Sequence, residues 1–460
     1  MADETVEIEL PDEDSYALAA KKVQSILIAV EEGNSAGLKE LLEPLHPADI
    51  ADLLEQIDER QRNDLIAVAG DGIAGEVLSE LEESLREDVI GQLTPEALAS
   101  AVQELRSDDV VDLVEDLEEE QQEAVLDALE PLDRHAVEQA LTWPEESAGR
   151  LMQVETVRAP EHWTVGETID YLRGEEDLPD QFYHVILVDP RMKPVGYVTL
   201  GRLLGSRREV PLKDITEDSF RIIPALQDEG EVAYAFNQYH LISAPVVDEE
   251  GRLVGTITID DAMAVLDEEH EEDILRLAGV GEGSLSDRVF NTTKQRLPWL
   301  AVNLATSILA SLVIALFEDA LQQIVALAVL MPIVASMGGN AGTQSLTVAV
   351  RAIATKDLTG SNVWRVIRKE MIVGLINGVF FAVTMGVIGV IWFGTPILGV
   401  VIALAMVINL VVAGLAGTVI PVVLEKLGID PALASGAFVT TVTDVVGFFA
   451  FLGLAVVLML

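Results

Sequence analysis

The stretch MPIVASMGGNAGTQSLTVAVRA at 331–352 sets Pro332, Gly338, Gly339, Asn340, Gly342, Thr343, Gln344 and Ser345 inside an otherwise apolar run. Further along, GAFVTTVTDVVGFFAF places Asp444 deep in a second apolar run, with Thr440 one helical turn before it on the same face. Lipid offers no water to the polar groups that a loosened backbone exposes. An ionisable side chain there costs about 2.5–3.5 kcal/mol on insertion scales unless it faces partners or water. Together these residues offer carbonyls, an amide, hydroxyls and one carboxylate, an all-oxygen set that suits a hard cation. The absence of His and Cys from this half argues against zinc and copper. The alternative is a polar cluster that only ties helices together; a buried acid beside broken backbone favours the path. One carboxylate is too few to strip a divalent ion of water, but it suits magnesium, which keeps its waters. In a two-fold dimer, two copies of Asp444 could flank one axial pore.

Five runs are long enough to cross a bilayer, at about 20 apolar residues each: roughly 298–317, 321–345, 371–393, 397–424 and 432–459. Asp444 is then the one acid well inside a span. The 351–370 loop carries Arg351, Lys356, Arg365, Arg368 and Lys369, and Lys294 and Arg296 precede the first span. Loops near 318–320 and 394–396 carry no basic residue. The positive-inside rule puts the N-terminal half and the 351–370 loop in the cytoplasm and the C-terminus outside a cell-membrane bilayer. Gly374-xxx-Gly378 and Gly414-xx-Gly417 fit helices that pack closely on one another.

Charge divides the 460 residues sharply. Residues 291–460 hold 8 basic and 7 acidic side chains, whereas 1–290 hold 21 and 70, a net −49. So much like charge repels itself unless salt screens it or cations bind, and adaptation to a salt-loaded cytoplasm accounts for most of it. Nucleic acid is excluded as a partner for so acidic a surface. With no cysteine there is no disulfide framework and no thiolate metal site. MADETVEIELPDED lacks a basic n-region and an apolar core, so no cleaved signal peptide is expected. No phosphate loop, nucleophile–base set or metal-hydrolase spacing is found, so no enzyme is expected.

The soluble half carries two internal repeats. HPADIADLLEQIDERQR at 46–62 matches RSDDVVDLVEDLEEEQQ at 106–122, within a region, 17–150, that reads as stacked helical hairpins. HVILVDPRMKPVGYVTL at 184–200 aligns with SAPVVDEEGRLVGTITI at 243–259, each a strand, an acid-bearing turn and a second strand. This pairing resembles tandem CBS motifs over 151–266, which often bind ATP or another adenine nucleotide through an Asp three residues after the closing Thr. Asp261 follows Thr258 in that way and is the candidate for the ribose, while Arg202 stands at the matching place after Thr199. An acidic helix, DDAMAVLDEEHEEDILRLAGVGEG, leads toward the first span, and 267–296 reads as a connecting segment. Its carboxylates repel one another unless cations bind between them.

This order of parts, with GGNAGTQS at 338–345, DPALASG at 430–436 and TTVTDVVGF at 440–448, resembles the MgtE family of magnesium channels. The resemblance implies a multi-domain membrane protein: an all-α helical-repeat N-domain, an α/β tandem CBS pair, an acidic plug helix and a five-helix transmembrane domain over 297–460. It implies a homodimer among membrane lipids that takes up Mg2+ down its gradient and shuts when internal Mg2+ is plentiful. Carried over by motif, Asp444, Thr440 and Asp430 would hold the ion along the pore. Gly338, Gly339, Asn340 and Gly342 would line it. The metal-sensing acids would be Asp108, Asp112, Asp228, Asp261, Glu269, Glu272 and Asp273. Thr343 and Gly436 stand where relatives carry Asn, and Gly230 and His240 where they carry acids. A sensor of magnesium, ionic strength or nucleotide without transport, and a carrier of Co2+ or Mn2+, remain as alternatives.

Overall fold

The computed structural model describes residues 18–460 apart from 71–73, 104, 116, 118, 176–177, 180, 218–219 and 281–288. It divides into two compact units, before and after residue 267. The part of the acidic connecting segment at 281–288 lies outside the described residues.

The first unit begins with α1 (Ala20–Glu31), α2 (Ser35–Leu42), α3 (Pro47–Gln56), α4 (Glu59–Ala69), α5 (Gly75–Ser79), α6 (Glu83–Ile90), α7 (Pro95–Gln103), α8 (Ser107–Glu115), α9 (Glu119–Ala128) and α10 (Pro131–Ala140). The matched sequences fold as the hairpins α3–α4 and α8–α9. Leu53, Leu54 and Leu65 of the first and Leu113, Val114 and Val125 of the second are fully buried at corresponding positions. Each hairpin must also satisfy the carbonyls at the end of its first helix. Arg62 donates to Leu54 O (2.8 Å) and Ile57 O (3.3 Å). Gln122, its counterpart, donates to Val114 O and Leu117 O, both at 2.9 Å. The bonds repeat although the residue does not.

Next come α11 (Ala148–Leu151) and two three-stranded sheets of one design. The first holds β1 (Arg158–Pro160), α12 (Val165–Gly174), β2 (His184–Val188), β3 (Pro194–Thr199) and α13 (Leu200–Gly205). The second holds β4 (Ile223–Pro224), α14 (Glu229–Tyr239), β5 (Ser243–Val247), β6 (Leu253–Thr258) and α15 (Ile259–Leu277). In each, a parallel pair is followed by an antiparallel hairpin with a register slip at the same place. Asp189 accepts from the backbone of Arg191 (2.7 Å) and Lys193 (2.9 Å), and Asp248 from Glu250 (2.9 Å) and Arg252 (2.8 Å). These side-chain turns explain the acid repeated in both hairpins. Met192 and Gly251 take the left-handed position that each turn requires.

The second unit contains α16 (Val289–Ala315), α17 (Glu318–Gln323), α18 (Val325–Ala354), α19 (Val363–Phe393), α20 (Pro396–Lys426) and α21 (Pro431–Met459). Among the described residues five helices are long and apolar enough to cross a membrane, including Val325–Ala354, Val363–Phe393 and Gly436–Met459. Helix α20 is central and buried along most of its length, with Val401, Ile402, Ala405 and Met406 fully enclosed. Its backbone lies against α19. A Cβ on Gly374 would fall 2.5 Å from Leu410 O, and one on Gly414 would fall 2.6 Å from Glu370 O. Only glycine permits such an approach.

Two expectations about these helices are corrected. The 331–352 segment is not loosened: α18 runs unbroken through GGNAGTQS, with Pro332 inside it. Glycine weakens a helix by only about 1 kcal/mol relative to alanine, and packing on neighbours outweighs that. The third span begins at Val363 rather than 371, which brings Glu370 into it. Glu370 sits eight residues into that helix, beside Arg365, Arg368 and Lys369, whereas Asp444 lies deeper in its own.

Candidate ion path and its cytosolic acids

Helix α18 meets α20 and α21 through alternating glycines. A Cβ on Gly338 would sit 2.2 Å from Asn409 Nδ2, and one on Gly342 would sit 2.6 Å from Val439 Cγ1 and 3.5 Å from Thr443 Cγ2. The room these two glycines leave is thus filled by neighbouring helices, not kept for an ion. A Cβ added to Gly339 would meet nothing within 4 Å beyond its own stretch of helix, and Asn340 is exposed beside it. One face of α18 packs while the adjoining one stays open.

The contact through Val439 and Thr443 registers α18 against the stretch of α21 that carries Thr440 and Asp444. The hydroxyls of Thr440, Thr441 and Thr443 donate back to carbonyls of their own helix. Their protons are spent, and their oxygens stay available as acceptors. Asp444 is half-buried and makes no hydrogen bond or ion pair with the described residues. Asp430 caps the start of the same helix, its Oδ1 accepting from Ala432 N at 2.7 Å.

Two buried polar groups that bond from one membrane helix to another escaped the sequence reading. Asn409 of α20 is fully buried and donates through Nδ2 to Val334 O at 2.8 Å. Glu370 of α19, 7% exposed, accepts from Ser345 Oγ of α18 at 3.0 Å. The available signal was a lone polar residue in an apolar run for Asn409, and the continuing helical pattern upstream of 371 for Glu370.

The proposed sensing acids fall into separate places. Asp108 is buried, and its Oδ2 has no hydrogen-bond partner among the described groups. Burial, with the charges of Asp261 and Asp109 added, pushes the Asp108 carboxyl well above the usual carboxylate range. Asp261 is pushed up to about 6, chiefly by burial, although Thr258 donates to it from Oγ1 at 2.6 Å. Arg106 lies among these acids, 3.6 Å from Asp109 and 3.4 Å from Asp260. Asp112 pairs with Arg86 at 2.7 Å instead. Asp228 caps α14, accepting from Glu231 N at 3.0 Å.

In the second unit, Glu269, Glu272 and Asp273 lie on the last turns of α15. Asp273 is raised by burial first and then by the charge of Asp430. Arg276 pairs with both Glu272 and Asp430. Among the described residues no three acid or histidine side chains converge as a ready metal centre.

Comparison with known proteins places these features in a family. Residues 331–454 match the family model described as a divalent cation transporter, MgtE, residues 45–146 match the MgtE intracellular N domain, and 212–268 match a CBS domain. The magnesium transporter MgtE of Bacillus subtilis is 33% identical over 321 residues, covering 70% of this chain and 71% of its own. The chain belongs to the MgtE family. The MgtE of Thermus thermophilus is 34% identical over 328 residues, 70% of this chain and 72% of that protein. A crystal structure of the cytosolic domain of the Mg2+ channel MgtE in complex with ATP aligns with a TM-score of 0.50 and 30% identity, over 53% of this chain and all of that one. Its relatives are named magnesium transporters rather than enzymes, and the chain joins helical and CBS-like N-terminal parts to a segment in which, among the described residues, five helices are long and apolar enough to cross a membrane.

Proposed function

We propose that the chain is a channel that takes up Mg2+ along a path between the open face of α18 and the Asp444 face of α21, shut by Mg2+ on the cytosolic acids. The observation that supports it most is the pairing of a packed glycine face with an open one. Gly342 fixes α18 on Val439 and Thr443 while Gly339 and Asn340 stay clear, and among the described residues no cation pairs with Asp444. Asp444 then holds a hydrated ion electrostatically, Thr440 and Asn340 bond to its waters, and Asp430 attracts it at the cytoplasmic mouth. Two copies of the chain supply two such carboxylates about one axis.

In this reading 17–150 senses metal, 151–266 is the CBS pair, 267–296 is the plug and 297–460 is the pore domain. The basic 351–370 loop supports a cytoplasmic N-terminal half and an external C-terminus. Filling the acid clusters with Mg2+ removes their repulsion and favours the closed arrangement, a two-state element biased by its ligand. The net −49 of the first 290 residues supports a salt-rich working medium. An adenine nucleotide is a further ligand for the CBS pair, supported by the ATP complex of the relative. Asp261 is its ribose candidate, whereas Arg202 of the first copy is engaged with Glu217 at 3.0 Å.

The test is Mg2+ influx into liposomes holding wild type or Asp444→Ala, in high salt, with folding of both checked. Flux in the wild type that collapses in the variant supports the path. No flux in either, with internal Mg2+ removed, favours a sensor without transport. Equal flux of Co2+ or Mn2+ removes magnesium selectivity.

A further inference from the structure

We infer that Arg276 is a tethered cation that occupies the place of a metal ion at the end of α15 and latches that helix to α21 when internal Mg2+ is low. The inference rests on the gating reading above. Three of the acids assigned there to metal share this one guanidinium or stand beside it. Arg276 Nη1 lies 2.7 Å from Asp430 Oδ2, its Nη2 pairs with Glu272 one turn earlier, and Asp273 faces Asp430. The remaining oxygen of Asp430 is taken by Ala432 N. Both carboxylate oxygens of Asp430 are therefore engaged without metal.

The neighbouring residue explains why the contact holds α15 in register. Leu277 packs against Leu346 and Val350 of α18 and Ala432 and Val439 of α21. Charge and apolar contact thus fasten the end of α15 at the first turn of the helix that bears Asp444. A guanidinium attached to the chain competes as an intramolecular ligand, at an effective concentration on the order of millimolar. Below that range of Mg2+ the arginine keeps the acids, and above it the divalent ion displaces a single charge. The same device recurs independently in the first unit. There Arg106 bridges Asp109 and Asp260 next to Asp108 and Asp261. Both arginines stand where like-charged carboxylates would otherwise force their elements apart.

The experiment is Mg2+ influx into liposomes loaded with EDTA or with saturating Mg2+, for wild type, Arg276→Gln and Arg276→Lys, with melting of all three measured. Arg276→Gln should raise flux into EDTA-loaded vesicles about two- to five-fold, the bias a half-exposed ion pair can supply. The ratio of flux at zero to saturating internal Mg2+ should rise by the same factor, and Arg276→Lys, which keeps the charge, should follow wild type. A folded Arg276→Gln with unchanged or lower flux in EDTA overturns the latch. A wild type without flux, or without inhibition by internal Mg2+, overturns instead the gating reading beneath it.

Discussion

Asn409 Nδ2 donates to the Val334 carbonyl at 2.8 Å, and its amide fills the spot where a side chain on Gly338 would begin. The next residue, Gly339, has open space at the same point. Two adjacent glycines therefore answer differently to one substitution. Gly338→Ala should destabilise the membrane domain by about 1–3 kcal/mol, the usual cost of overpacking. Gly339→Ala should leave both melting and flux near wild type, and Gly339→Leu should fold but block flux. Melting in detergent and liposome flux, measured on all three, check the pair.

Ser345 and Glu370 join α18 to α19 inside the membrane domain. Hydrogen bonds to charged groups contribute about 1.5–3 kcal/mol. Glu370→Ala should cost stability in that range, while Glu370→Gln, which keeps an acceptor, should cost less. In a double-mutant cycle with Ser345→Ala the two losses should not add, and strict additivity would show that the bond contributes nothing.

The seam of Asp108 and Asp261 should make metal-free stability depend on pH. Asp261 titrates near 6 in the fold, above its ordinary value, so its neutral form is the favoured one. That contribution is complete below about pH 4 and is lost as pH rises through about 6. The melting temperature in EDTA should fall across this window, and Mg2+ should restore it at pH 7. Asp108→Asn should flatten the profile and shrink the rise caused by Mg2+. A wild-type profile that is flat in EDTA would remove the seam as a metal-linked element.

Salt should stabilise the chain strongly. The Debye length falls from about 10 Å at 0.1 M to about 3 Å at 1 M, which screens most of the self-repulsion of the acidic half. Melting in KCl should rise steeply over this range, whereas isolated residues 291–460, at net +1, should show little dependence.

Much of the site could be read from residue order because its signals are local. Asp444 announces itself as an acid in an apolar run, and the two repeats show up as strings that align with themselves. Asn409 also stands as a lone polar residue in an apolar run, but neither its burial nor that of Glu370 can be read in this way. Whether a polar residue near a helix boundary is buried depends on which helix covers it, and that follows from glycine contacts between distant segments. The role of Gly338 was misread for the same reason: a missing side chain looks alike whether a neighbour or an ion takes the space. Arg106 and Arg276 were also invisible, since each pairs with an acid 154 residues away.

The close seam of α19 and α20 bears on how the chain enters a bilayer during synthesis. Their interleaved glycines let these two helices dock as a hairpin once both have left the ribosome. Asn409, riding on α20, finds its acceptor Val334 on α18, which emerged earlier. The most polar buried side chain of the central helix thus meets a partner on arrival, and α21, which carries Asp444, packs onto helices made before it.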